Sequence, residues 1–261
     1  MIVQIYPKLN IFLKIIGHKE GFHQLNSRFV QARNGLCDVM ELKVHSTFVL
    51  KGDFGCSLEE NLIFKAKCAM RDFLTLQGKN TQRLESLQVE VQKSIPQGAG
   101  LGGGSANAGA FLRAANVFCE YGLSENELIH IAQKVGADVS FFASGAQSAN
   151  VCGRGENIES FAESPTYYEI HTPDVFCDTK KVYQCYAKAI KNRTLTYSAP
   201  TYEWFRLTSK DLLCKKEPRE AMNDLFVSAT LEYPALKNIA QELGSEWYFS
   251  GSGSSFFRLR A

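Results

Sequence analysis

Five glycines fall within the seven positions Gly98 to Gly104, in the stretch QGAGLGGGSAN. A glycine run exposes backbone N–H groups with no Cβ in the way, and beside a helix start the positive end of the helix dipole adds to their pull on an anion. That chemistry suits a phosphate. Asp138, Lys8, Asn10 and His23 are polar side chains of types that can move a proton or balance charge, and each reads equally as an ordinary turn, cap, edge or hairpin residue.

The elements around the glycines give them a definite setting. In LQVEVQKSI, Leu87, Val89 and Val91 alternate with Gln88, Glu90 and Gln92, the pattern of a strand with one wet face. Beyond the glycines, Ala108, Phe111, Leu112, Ala115 and Phe118 form a stripe that predicts a helix of about four turns starting near Ser105, its N-terminus pointing into the loop. A flexible linker is the competing reading, but linkers seldom sit between one clear strand and one clear helix. The pattern GxxxxGK[ST] fails, because Gly104 stands where the lysine belongs. The dinucleotide fingerprint GxGxxG is met by Gly98, Gly100 and Gly103, with Glu120 at a plausible ribose distance. It fits less well: the preceding strand alternates, Pro96 and Gln97 intervene, and the loop does not open a βαβ unit.

Elsewhere IVQIY and LNIFLKII read as two strands or one bent strand broken at Pro7, with Lys8, Asn10 and Phe12 on one face. A helix opens at a capping box, Ser57 with Glu60, carries Ile63, Ala66, Met70, Phe73 and Leu74, and ends near Gly78. A second box, Ser124 with Glu127, opens a helix that stops at Gly136, with Asp138 just past it. From about Asn150 the pattern changes to a strand TYYEIHT, a helix KKVYQCYAKAI after Asp178 and Thr179, a loop-rich region with Pro200 and Pro218, a helix PALKNIAQEL, and a final pair EWYFS and SFFRLR about the turn GSGS. Two α+β domains follow, residues 1–150 and 151–261.

Composition narrows the partners. Charged residues make up 21% and the formal net charge is +2, so no strong field favours nucleic acid or an anionic membrane. No run of eighteen apolar residues predicts a membrane span, and Lys8 and Asn10 interrupt the apolar N-terminus where a signal peptide would need continuity. The eight cysteines show no CxxC pair, which predicts reduced, mostly buried thiols in a cytoplasmic protein.

IPQGAGLGGGSANAG, residues 95–109, resembles the phosphate-binding motif of the GHMP small-molecule kinases, matched at Pro96, Gly98, Gly100, Leu101, Gly102 and Ser105. PKLNIFLKIIGHKEGFHQL at 7–25, ENLIFKA at 60–66, GADVSFF at 136–142, NDL at 223–225 and SGSGSSFF at 250–257 extend the resemblance, in order, over nearly the whole chain. Together they are similar to the branch of that family that phosphorylates the 2-hydroxyl of 4-diphosphocytidyl-2-C-methyl-D-erythritol, in the non-mevalonate route to isoprenoid precursors. The resemblance implies ATP and Mg²⁺, a ribosomal-protein-S5-domain-2-like N-terminal domain and a ferredoxin-like C-terminal domain.

It also implies roles. Asp138 matches the catalytic aspartate and Lys8 the active-site lysine, while Asn10, Phe22, His23, Thr179 and Tyr183 fall on substrate positions, with Phe22 and Tyr183 stacking on cytosine and His23 reading its edge. Asn61 and Lys93 fall where the family contacts adenine; Gly103 and Gly104 complete the phosphate loop, and the Ser105 hydroxyl lies near the phosphates or the metal. Phe22 stands where the family has tyrosine, which keeps a stacking face and loses a hydroxyl. Ala106 replaces a common second serine, and 192–219 matches no family segment. Another GHMP kinase, acting on homoserine, mevalonate or a sugar, would leave Lys8, Asn10, Phe22 and His23 unexplained. A dinucleotide-dependent oxidoreductase and a binding protein that leaves nucleotide uncleaved are the other classes.

Overall fold

The computed structural model describes residues 1–33 and 35–260. Strands β1 (Ile2–Ile5), β2 (Lys8–Lys19), β3 (Phe22–Gln31), β4 (Asp38–Val44) and β5 (Val49–Lys51) precede helices α1 (Leu62–Leu76) and α2 (Gln82–Glu85). Strand β6 (Leu87–Gln92) then leads to α3 (Gly103–Phe118), α4 (Glu125–Gln133) and α5 (Val139–Ser144). After β7 (Ser148–Gly153), β8 (Asn157–Ser160) and β9 (Tyr168–His171) come α6 (Thr179–Lys191), α7 (Ser209–Cys214), α8 (Arg219–Met222), α9 (Phe226–Glu232), α10 (Ala235–Leu243) and the pair β10 (Tyr248–Phe249) and β11 (Phe256–Leu259).

These elements form two compact units, each assembled from separate stretches of chain: Met1–Pro7, Gly35–Ile95 and Gly102–Ala146 in the first, Lys8–Asn34, Pro96–Leu101 and Gln147–Ala261 in the second. The first unit holds a sheet in the order β1-β4-β6-β5, with β5 parallel to β6 and the other pairs antiparallel. Helix α3 packs on this sheet and against α1 and α5. It approaches α5 so closely that a Cβ on Gly109 would lie 2.4 Å from Cβ of Phe142. Only glycine permits that contact.

The second unit holds the antiparallel sheet β2-β3-β7-β8 and the smaller sheet β10-β11-β9. Its core joins Leu13 and Ile15 of β2 to Val182 and Tyr186 of α6, Phe226 of α9, Leu236 of α10, Trp247 just before β10, and Phe249 and Phe256 of β10 and β11.

Four local expectations change. Pro7 separates two strands that lie in different sheets, so one bent strand is excluded. Lys8, Asn10 and Phe12 do not share a face: Asn10 pairs with Phe29 but Phe12 pairs with Arg28, so Ile11 is the extra residue of a bulge that turns Phe12 to the opposite side. There its ring meets Trp204 and Phe205, with centroids at 5.3 and 5.9 Å. Ser57 and Glu60 do exchange hydrogen bonds, but around a turn; α1 begins at Leu62, capped by Asn61, whose side chain accepts from Ile63 N–H at 2.8 Å. The Ser124–Glu127 box caps α4 as expected. The region around Pro200 and Pro218 is less irregular than its composition suggested, because α7 and α8 lie within it.

Candidate active site

In the second unit β2 delivers Lys8 and Asn10 to one face before the bulge. Both are buried, at 4% and 1% exposure. The Lys8 ammonium donates to Asn10 Oδ1 and lies 4.9 Å from the centre of the Phe29 ring. Asn10 Nδ2 donates to Ser27 Oγ at 2.9 Å, and Asn10 N–H to Ser250 Oγ at 3.3 Å. Asn10 is therefore fixed from both sides and holds the lysine in turn.

The C-terminal turn comes to the same place. A Cβ on Gly251 would stand 3.2 Å from Lys8 Nζ and 3.3 Å from Asn10 Oδ1, so this backbone passes directly beside the pair. Asn223 fastens the turn by donating to the carbonyls of Phe249 and Gly251, both at 2.9 Å. Its neighbour Asp224 accepts from Ile15 N–H at 2.7 Å and pairs with Lys14, which ties the same segment to β2.

The glycine loop rests on that turn. Ser250 Oγ donates to the Gly100 carbonyl at 3.1 Å, Ser255 N–H to that of Ala99 at 3.0 Å, and Cys177 N–H to that of Gly98 at 2.9 Å. Lys8 N–H donates to the Leu101 carbonyl at 3.0 Å. Gly98 and Gly100 have φ of +63° and +72°, and a Cβ on Gly100 would fall 2.1 Å from the Ser250 carbonyl oxygen. Left-handed residues alternating with ordinary ones turn successive N–H groups toward one side, the geometry of an anion nest. Pro96 leads into this segment.

On the hairpin of β2 and β3, His23 stacks on Tyr183 of α6, with centroids 5.5 Å apart and planes at 28°. Burial first, and His18 second, hold the His23 imidazole below its ordinary pKa, so the neutral ring prevails at neutral pH. Its buried Nδ1 lacks a hydrogen-bond partner among the described residues. Phe22 is 53% exposed beneath the Arg154 guanidinium, 4.7 Å from its ring. Thr179 opens α6 and shares a 2.8 Å hydrogen bond with Ser252 of the C-terminal turn.

The first unit carries the remaining residues. Gly102 caps α3 in the left-handed conformation, φ +68°, with no side-chain cap bond, and Gly103, Gly104 and Ser105 form its first turn. The first N–H groups of a helix have no acceptor inside it and favour an anion there. Asp138, half-buried, directly precedes α5 and makes no side-chain cap bond to it. Asn61 spends Oδ1 on the α1 cap. The Lys93 ammonium donates to Asp38 and, at 2.8 Å, to Asn107 Oδ1.

All four of Asp38, Asn107, Asn223 and Ser250 are buried polar residues; Asp38 lies outside every segment of the resemblance, and the other three lie inside its segments without an individual role. Apart from Leu225 N–H, which donates to Asn223 Oδ1 from two positions on, their side-chain partners lie 14 to 240 positions away, so spacing carries no signal of them. Among the described residues no group of three His, Cys, Asp or Glu side chains could hold a metal. Mg²⁺ in phosphoryl transfer is held largely by the phosphates with one or two protein oxygens, so this donor set fits a nucleotide-borne ion better than a protein cage.

Residues 61–147 match the family described as GHMP kinases N terminal domain. A 4-diphosphocytidyl-2-C-methyl-D-erythritol kinase of Helicobacter pylori (strain HPAG1) is 45% identical over 99% of this chain and 94% of its own length. One from Sulfurovum sp. (strain NBC37-1) is 41% identical over 99% and 98%. A crystal structure of 4-(cytidine 5'-diphospho)-2C-methyl-D-erythritol kinase superposes with a TM-score of 0.77 at 27% identity, covering 99% of this chain and 90% of that one. With such relatives matched almost end to end, the chain belongs to the 4-diphosphocytidyl-2-C-methyl-D-erythritol kinase family of GHMP kinases.

Proposed function

We propose that the protein transfers the γ-phosphoryl group of ATP to the 2-hydroxyl of 4-diphosphocytidyl-2-C-methyl-D-erythritol, giving the 2-phosphate and ADP, in the cytoplasm. The observation that carries this is the buried Lys8–Asn10 pair set beside the turn on which the glycine loop is built. Among the described residues no helix is long and apolar enough to cross a membrane.

In the reaction the acceptor oxygen forms a bond to the γ-phosphorus, the bond from that phosphorus to the β–γ bridging oxygen breaks, and the hydroxyl proton passes to the Asp138 carboxylate. Lys8 supplies positive charge where the transferring group spreads negative charge, and Asn10 holds Lys8 in place. Backbone N–H groups of Gly98, Gly100, Leu101 and Gly102 to Gly104 cradle the triphosphate, preceded by Pro96. Ser105 stands on the first turn of α3, where its hydroxyl would serve the phosphates and Mg²⁺. Bound Mg²⁺ would neutralise phosphate charge. Phe22 and Tyr183 supply ring faces for cytosine, His23 reads its edge, Thr179 lines the alcohol, and Asn61 and Lys93 border the adenine.

The test is ADP release by the purified protein with ATP, Mg²⁺ and a panel of alcohols including homoserine, mevalonate and the cytidylylated methylerythritol. Turnover is expected with the last alone, and Asp138→Asn should lower kcat by at least about 10²-fold, the usual scale of a general base. Turnover of mevalonate or homoserine instead, or an Asp138→Asn variant as fast as wild type, overturns the proposal.

A further inference from the structure

Asp38 opens β4, is fully buried, and is given no part in the reaction above. Its carboxylate accepts four hydrogen bonds. Oδ1 takes the backbone N–H groups of Ser94 and Ile95, at 2.6 and 2.9 Å, and Oδ2 takes Asn107 Nδ2 at 2.8 Å together with the Lys93 ammonium. Ser94 and Ile95 are the last residues before Pro96, and Asn107 is the fifth residue of α3. One side chain thus ties the chain entering the glycine segment to the helix that leaves it.

A second contact joins the same two stems. A Cβ on Gly103 would lie 2.9 Å from Cγ2 of Ile95 and 3.5 Å from Lys93 Nζ, so the first residue of α3 packs directly on the segment that links β6 to the loop. The distance between the loop's ends is therefore set inside the first unit, around the buried Asp38, Ile95 and Asn107. The geometry points to Asp38 as a positioning residue for nucleotide binding: it fixes the separation and angle of the two stems so that the glycine N–H groups face one phosphate chain, and Lys93 and Asn107 act through it. This rests on the reading of Pro96 to Ser105 as the ATP segment.

The chemistry explains why the residue is an aspartate. Four donors converge on it, and only an ionised carboxylate accepts at both oxygens without presenting a donor. An asparagine would keep Ser94 and Ile95 on its oxygen but turn an NH₂ toward Asn107 Nδ2 and Lys93, leaving donors opposed in a buried place. Moving the charge should repair this. In Asp38→Asn/Asn107→Asp, the amide oxygen keeps the two backbone donors, its NH₂ donates to the new carboxylate, and that carboxylate also takes Lys93.

The experiment titrates the full chain with a nontransferable ATP analogue and measures KM separately for ATP and for the alcohol. Asp38→Asn should weaken the analogue and raise the ATP KM about tenfold, the scale of one lost charged hydrogen bond, with the alcohol KM unchanged within about twofold. The double variant should return nucleotide affinity to within about threefold of wild type. Unchanged nucleotide affinity in Asp38→Asn, an equal loss for both substrates, or failure of the double variant to recover nucleotide binding while folded overturns the inference. Should Asp38→Asn not fold, Asn107→Ala keeps the hold on Ser94 and Ile95 and drops the tie to α3 together with one of the two acceptors of Lys93, which keeps Asp38. It should weaken the analogue about threefold without moving the alcohol KM, and wild-type affinity there overturns the inference equally. A wild-type protein that turns over but does not take the analogue removes the reading of the loop, a different failure from that of Asp38.

Discussion

A neutral imidazole can accept a hydrogen bond through one ring nitrogen, and a protonated one cannot. His23 is built to stay neutral: burial disfavours its charge, His18 adds repulsion, and Tyr183 covers one face of the ring. Its pKa in the folded protein lies below the unfolded value of about 6.5, so the stability it contributes is complete above that pH and is lost as pH falls through the folded value. Cytosine recognition through this ring should follow the same sign. The KM for the cytidylylated alcohol is expected to be flat from pH 8 down to about 6.5 and to rise at lower pH, while His23→Gln shows a raised KM without that acid rise. A steady-state pH series on both proteins checks it, and an acid limb that survives in His23→Gln assigns the titration elsewhere. The roles expected of His23 and Lys8 rest on short local segments, GFH and PKLN, that resemble the family. Asp38 was not legible: its acceptor role exists only when residues 55 to 69 positions later reach it.

Elements were legible wherever one face alone is buried. The alternation of β6 and the apolar stripe of α3 both appear in the fold, since each buries one side against the rest of the first unit. Two departures share a cause, the choice between equivalent local partners. Period-two counting along β2 ran straight through Ile11, because nothing in the residue types announces that β3 accommodates an extra residue there. Ser57 and Glu60 form the side-chain bonds of a capping box, yet Asn61 offers a second acceptor four residues on, and α1 starts from it. The two caps can be separated by stability. Asn61→Ala should cost about 1 kcal/mol in urea unfolding of the nucleotide-free protein, the usual worth of a cap, and Ser57→Ala no more than about 0.5 kcal/mol, as for a surface turn. The reverse order would put the start of α1 at Ser57.

At the scale of the molecule, order in sequence and membership in a unit diverge. The chain passes between the two units at each boundary of Pro7, Asn34, Ile95, Leu101 and Ala146. The β2–β3 hairpin, although near the N-terminus, buries Leu13 and Ile15 with Val182, Tyr186, Phe226 and Trp247, and the glycine loop takes its shape from Cys177, Ser250 and Ser255. Composition locates the loop; its curvature is set by residues more than 70 and up to about 156 positions later, which no local pattern encodes. A fragment of residues 1–150 therefore keeps every helix and strand of the first unit but strips the hairpin of its core. Leu13 and Ile15 alone would return about 2 kcal/mol each of apolar burial to water, and the loop would lose three of its backbone anchors. The fragment is expected to bind a hydrophobic dye, to lack nucleotide affinity and to melt well below the full chain, in calorimetry and analogue titration run side by side. A soluble fragment that holds the ATP analogue as tightly as the whole protein would mean that the loop carries its own shape, against the hydrogen bonds that Ser250, Ser255 and Cys177 make to it.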